Sequence, residues 1–219
     1  MQSTQLKTPG HPSRRWFLLA GAAAAGVLPA QGLMAATDAD RVSGATPALD
    51  EALRRLRGGG VVVMFRHALA PGTFDPPEFK VGDCRTQRNL NAAGRAQAQR
   101  IGRWFARHGL TPESVRASPW CRCLDTATLA FGTVQPWDAL ASPVGSEAPQ
   151  RQARTQMLQA ALHAAAARPG FQVWVTHDFV VSDLTGSNAQ SGEGLVLQAD
   201  AAGDVQIVAR LTAMSHAPG

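Results

Sequence analysis

Residues 61–67 read Val61-Val62-Val63-Met64-Phe65-Arg66-His67, five apolar side chains in succession followed by a cation and an imidazole. A short run that is apolar on both of its alternating faces fits a strand of a parallel sheet covered on both sides. Gly58-Gly59-Gly60 stands before it and ends a short helix expected over 48–57. Two further stretches share its design. Val115-Arg116-Ala117 leads through Ser118 to Arg122, and the run 171–176 ends in His177-Asp178. Between these strands lie helical patterns. Over 91–108, Gly94, Ala98, Ile101 and Phe105 share one face while Arg95, Gln99, Arg103 and Arg107 share another. Helices are also expected over about 122–130 and over 150–166, the second burying Met157, Leu158, Ala161, Leu162 and Ala165. Strands at 194–198 and 205–211, joined by Ala201-Ala202-Gly203-Asp204, predict a hairpin at the far side of the sheet. Strands alternating with helices predict an α/β sandwich. The segments 68–88 and 132–149, rich in Gly and Pro, read as long irregular loops, which in a compact domain commonly carry function.

Each main strand thus ends in a polar group, and ligands of open α/β sheets bind beyond the carboxyl ends of strands. Arg66, His67, Arg122 and His177 are therefore expected to meet in one pocket. Guanidinium groups match phosphate oxygens in shape and keep their charge at any working pH. Two of them beside two imidazoles describe an anion site, most naturally for a phosphoryl group. A neutral imidazole in such a site is a competent nucleophile.

Four segments then carry a family resemblance. Val-Val-Met-Phe-Arg-His resembles the strand and Arg-His signature of the histidine phosphatase superfamily, which includes the phosphoglycerate mutases. Leu90-Asn91-Ala92-Ala93-Gly94-Arg95-Ala96-Gln97-Ala98 is similar to its Leu-x-x-x-Gly-x-x-Gln-Ala helix start. Ser118 to Ala127 is similar to its Ser-x-x-x-Arg-x-x-x-Thr-Ala segment, and Val173-Trp174-Val175-Thr176-His177 to the strand bearing its second histidine. The four stand in family order and cover most of 60–186. The resemblance implies a three-layer α/β/α sandwich with a mostly parallel central sheet, phosphoglycerate mutase-like. It implies His67 as nucleophile through a phosphohistidine, with Arg66 and Arg122 holding phosphoryl oxygens and His177 stabilising the transferring charge. No cofactor and no metal are implied. For the general acid, Asp178 ranks first, since His-Asp resembles the acid-phosphatase branch, and Glu193 ranks second, in a loop before a strand. Ala68, Leu69 and Ala70 stand where the mutase-like pattern has Gly and, further on, Asn; this departure points away from mutase activity.

The 219 residues carry a formal charge of +5, yet Lys7, Arg14 and Arg15 fall within the first 36 residues, which hold no acid. The remainder has 18 basic and 16 acidic residues. With that near balance, and with no Tyr in the chain, a stacking platform for nucleic acid is not expected. Ser13-Arg14-Arg15-Trp16-Phe17-Leu18, the mildly apolar run to Leu28 and the small residues after it read as an export signal of the twin-arginine type. The apolar run is too short for a confident membrane span. Residues 1–36 are therefore assigned as signal, 37–47 as linker, 48–213 as the single domain and 214–219 as tail. In a periplasmic or secreted setting, Cys84 with Cys121 or Cys123 are the long-range disulfide choices, with buried free thiols as the alternative.

The sequence thus predicts an exported phosphatase for a small phosphorylated substrate, without stable membrane insertion once the signal is removed. A cell-envelope sugar-phosphate phosphatase of the lipopolysaccharide-core type and a non-catalytic phosphate-ligand binding protein are the alternatives. Substrate and oligomeric state are left open.

Overall fold

The computed structural model describes residues 46–212; the expected signal, most of the expected linker and the tail lie outside them. Thr46 caps α1 (Pro47–Gly58), its hydroxyl accepting from Leu49 N, so the last residue expected as linker already opens the first helix. β1 (Val61–Arg66) follows, buried along nearly its whole length. The 68–88 segment is irregular apart from a single 3-10 turn at Cys84–Thr86. α2 (Ala92–Arg107) is capped by Asn91, whose side chain accepts from Gly94 N. β2 (Ser114–Ala117) and α3 (Cys121–Phe131) come next.

The stretch 132–149 holds more order than its composition predicts. β3 (Gln135–Pro136) forms a two-residue edge strand, and Asp138–Leu140 a 3-10 turn. Proline removes a ladder donor, so an edge position suits it. α4 (Ala148–Ala165) buries Leu158, Leu162 and Ala165, but Met157 is 50% exposed. That corrects the expected apolar face, because Met157 projects away from the sheet that takes up its neighbour Leu158. β4 (Phe171–Thr176) leads directly into α5 (Asp178–Thr185), a helix not expected from the sequence, and β5 (Gly194–Ala199) and β6 (Val205–Leu211) form the expected hairpin.

The six strands lie in the order β3-β2-β4-β1-β5-β6. The first four are mutually parallel, and β5 and β6 add antiparallel strands at one side. Because side chains alternate across a strand, β1 feeds two cores. Val61, Val63 and Phe65 pack with α1, α2 and α3, while Val62 and Met64 pack with α4 and α5. The result is the predicted three-layer α/β/α sandwich with a mostly parallel sheet.

Register fixes where the chemistry sits. Arg66 pairs with Thr176, Ala117 pairs with Val175, His67 N donates to Thr176 O (2.9 Å), and Ser118 N donates to Val175 O (2.9 Å). The ends of β1, β2 and β4 are therefore level, and His67, Ser118 and His177 emerge side by side.

Candidate active site

A cavity of about 440 Å³ opens beyond these three strand ends, and Arg66, His67, Arg122, His177 and Asp178 all line it. Arg88 and Asp75, from the long loop, complete its charged lining. Arg85, from the same loop, is instead an exposed partner of Asp83. Asp75 was missed. It is an acid among prolines and glycines, and nothing in the local pattern marks it.

His67 is 2% exposed, and its Nδ1 lies 2.7 Å from the carbonyl of Ala68. A carbonyl only accepts, so Nδ1 carries the proton and Nε2 keeps its lone pair. Burial, reinforced by the charges of Arg122, Arg88 and Arg66 and opposed by the Ala68 hydrogen bond, lowers its pKa to about 3. At neutral pH the ring is an uncharged base. His177 is held from both sides. Arg122 Nη2 donates to its Nδ1 (3.3 Å), so Nε2 bears the hydrogen and faces Ser118 Oγ at 2.8 Å. Burial first, then Arg122, pushes its pKa well below the usual histidine value. The two rings meet edge to face with centroids 5.6 Å apart.

Arg122 is buried, and its Nη1 donates to both Asp75 oxygens (2.9 and 3.1 Å). Trp120 Nε1 donates to the same carboxylate (3.2 Å), and Arg88 N to its Oδ1 (2.8 Å). Asp75 thus orients the guanidinium from the loop side. Arg66 Nη1 donates to Ala189 O (2.9 Å) and stands 4.0 Å from Asp178 Oδ2. The Nε groups of Arg66, Arg88 and Arg122 are buried without a hydrogen-bond partner. Buried donors normally find one, so all three guanidiniums hold donor capacity that the protein does not use.

The two carboxylates ranked from sequence part company here. Asp178 lines the cavity, with Oδ1 accepting from Ala189 N (2.8 Å). Glu193 is buried and absent from the cavity lining; its Oε2 accepts from Gln190 N (2.7 Å) and its Oε1 from Arg210 Nη1 (3.0 Å). Glu193 closes the loop whose Ala189 carbonyl holds Arg66.

The remaining motif residues act as braces. Thr126 Oγ1 accepts from Ala68 N (3.0 Å), and Gln97 Oε1 accepts from Leu69 N (2.9 Å), fixing the chain just past His67. A Cβ on Gly94 would lie 1.9 Å from Leu69 O, so only glycine lets α2 approach so closely. Cys84 and Cys121 form a disulfide that ties the loop to the start of α3. Cys123 is free, and burial pushes its thiol up to about 12. It packs 3.6 Å from His177 Nε2 as a neutral filler. Among the described residues, no group of three or more His, Cys, Asp or Glu is placed to hold a metal ion, and no helix is long and apolar enough to cross a membrane.

No family model and no curated protein matches the chain. Solved structures do. Phosphoserine phosphatase from Entamoeba histolytica, in complex with 3-phosphoglyceric acid, aligns with a TM-score of 0.52 at 10% identity, covering 71% of this chain and 99% of its own. The product of an open reading frame of Mycobacterium tuberculosis aligns with a TM-score of 0.50 at 18% identity, covering 67% and 94%. The protein histidine phosphatase SixA complexed with tungstate gives 0.48 at 16% identity, covering 69% and 96%. At such identities the likeness is one of fold. The architecture is the α/β/α sandwich of histidine phosphatases and phosphoglycerate mutases, as the four motifs led one to expect.

Proposed function

We propose that the chain is an exported, metal-independent phosphatase that hydrolyses a phosphomonoester through a phosphohistidine on His67. The observation that carries this reading is the shared cavity. One neutral imidazole with a free Nε2 lies among three guanidiniums and a second imidazole. Phosphoryl transfer depends mainly on positioning and on charge stabilisation, both of which this arrangement provides.

In the first step the Nε2 lone pair of His67 attacks phosphorus and the ester P–O bond breaks. The bonding pair leaves with the alcohol oxygen, which takes a proton from Asp178 in its acid form. In the second step water attacks the phosphohistidine while Asp178 takes its proton. The N–P bond breaks, inorganic phosphate departs, and the imidazole and the acid are restored. Arg66, Arg88 and Arg122 hold the phosphoryl oxygens, and His177 supports them. Glu193, engaged with Gln190 and Arg210, contributes through the loop rather than as donor.

Export is supported by the twin-arginine pattern of the leader and by a disulfide, a bond that persists in oxidising compartments. The test is to quench turnover of a ³²P-labelled phosphomonoester in alkali, where phosphohistidine survives, and to locate the label. Label on the peptide containing His67, lost in His67→Ala together with about 10³-fold or more of the turnover, is the expected result. Phosphate binding without turnover in the unaltered chain overturns the catalytic reading in favour of a binding protein.

A further inference from the structure

We infer that the ester this site accepts carries a single phosphoryl group on an apolar, ring-bearing body, rather than on a polyol or a second anion. The inference rests on the phosphatase reading above and concerns the other half of the cavity. Its charged floor is roofed by aromatic side chains. Trp120 stacks edge to face on His177 (5.6 Å between centroids), and Phe79 lies against Trp120 at 5.8 Å. An aromatic wall therefore runs from the imidazole floor outward.

The mouth continues that wall. Phe74 is 65% exposed, Val144 52% and Phe179 51%, and all three line this cavity. They are half of the six large apolar side chains exposed among the described residues. Scattered exposed apolar residues need no explanation, but a cluster rimming a polar pocket marks a binding surface. The three stand on separate segments: Phe74 on the loop after β1, Val144 before α4, and Phe179 at the start of α5. No shared local packing accounts for their exposure.

A polyol body would lose water from several hydroxyls and need a partner for each. Apart from the two imidazoles and the Trp120 indole, the uncharged polar side chains among the described residues that line the cavity are Thr73 and Ser142, and Asp75 is already committed to Arg122, Trp120 and the Arg88 amide. Charge argues likewise. Three guanidiniums against Asp75, with Asp178 in the acid form that the first step uses, leave two net positive charges, which a phosphoryl dianion consumes in full. A substrate with an added carboxylate would find no further cation lining the cavity. A volume of about 440 Å³ exceeds what one phosphoryl group fills and falls within the range of small-molecule sites.

Phosphonates separate binding from leaving-group chemistry. Benzylphosphonate and 2,3-dihydroxypropylphosphonate both attach phosphorus to a saturated carbon and cannot be hydrolysed. Titrated calorimetrically into the full chain, benzylphosphonate is expected to bind at least about tenfold more tightly. Phe74→Ser and Phe179→Ser, both at exposed positions, are expected to reduce that ratio to about threefold or less. Equal affinity for the two phosphonates, or a preference unchanged in both variants, overturns the inference. If phosphomonoesters are still turned over in that case, the phosphatase reading stands alone; if neither phosphonate binds and no ester is hydrolysed, both fall.

Discussion

At the scale of single residues, the decisive feature is an imidazole kept neutral by burial among positive charges. Protonating His67 inside the folded chain is opposed down to about pH 3, whereas an unfolded histidine takes up its proton near 6.5. For a base whose folded pKa is lowered, unfolding binds protons as pH falls. Stability therefore declines from about pH 6.5 downward and stops declining on this account only near pH 3, with His177 acting in the same direction. The same shift fixes the rate profile. Corrected for the ester's own second ionisation, kcat/KM is expected to show no acid limb at pH 6–7, since His67, the proposed nucleophile, is already deprotonated there in the free chain. A limb at pH 6–7 in the unaltered chain would contradict the geometry, whereas a variant that relieves the burial of His67 is expected to acquire one. That Arg66, His67, Arg122, His177 and Asp178 would line one cavity was legible in the sequence, because strand ends with polar termini announce themselves. Asp75 was not, because its meaning comes only from the Arg122 guanidinium, 47 positions along the chain. Glu193 shows the converse. Its loop position before a strand invites a chemical role, yet its oxygens are taken up by Gln190 and Arg210.

At the scale of elements, the helix starts aim the site by holding the chain after β1. Ala68 N is bound by Thr126 from α3 and Leu69 N by Gln97 from α2, so the backbone leaving His67 is clamped between two helices. Gly192, with φ +74, adds a third brace by donating to the carbonyls of Arg66 (3.1 Å) and His67 (3.2 Å). Gly94 is the most demanding position. A methyl group there meets the Leu69 carbonyl, which is backbone and has no alternative rotamer. Gly94→Ala is expected to destabilise the chain by about 1–3 kcal/mol and to lower kcat more than it raises KM, measured by denaturant unfolding alongside ester turnover. Helix patterns at 92–107 and 121–131 were readable from sequence to within a residue or two. α5 was missed because eight residues after a strand end give too little periodicity to separate a helix from a turn. Met157 was misjudged because α4 has an Ala-rich face on which several apolar stripes compete.

At the scale of the whole molecule, the loop 68–88 is secured to the sandwich by a covalent tie. The Cys84–Cys121 bond spans 37 positions and joins the loop bearing Asp75 and Arg88 to the helix bearing Arg122. Closing a loop of that size in the unfolded chain is worth about 3–4 kcal/mol in the chain-entropy account. Cys84→Ser, or reduction at the exposed Cys84, is expected to lower Tm and to weaken phosphate binding, read by thermal unfolding with and without phosphate. An unchanged Tm would show that the loop is held by its other contacts. Composition, the apolar run at 61–65 and the three polar strand ends determined the α/β class and most of the charged floor, because those features depend on short-range periodicity and on the polarity of sheets. Which cysteine pairs with Cys84, which carboxylate faces the cavity, and that an aromatic rim surrounds it were decided only by tertiary structure. Each of these depends on the approach of segments far apart in the chain, and that approach is set by sheet register and helix packing, which no local stretch of residues encodes.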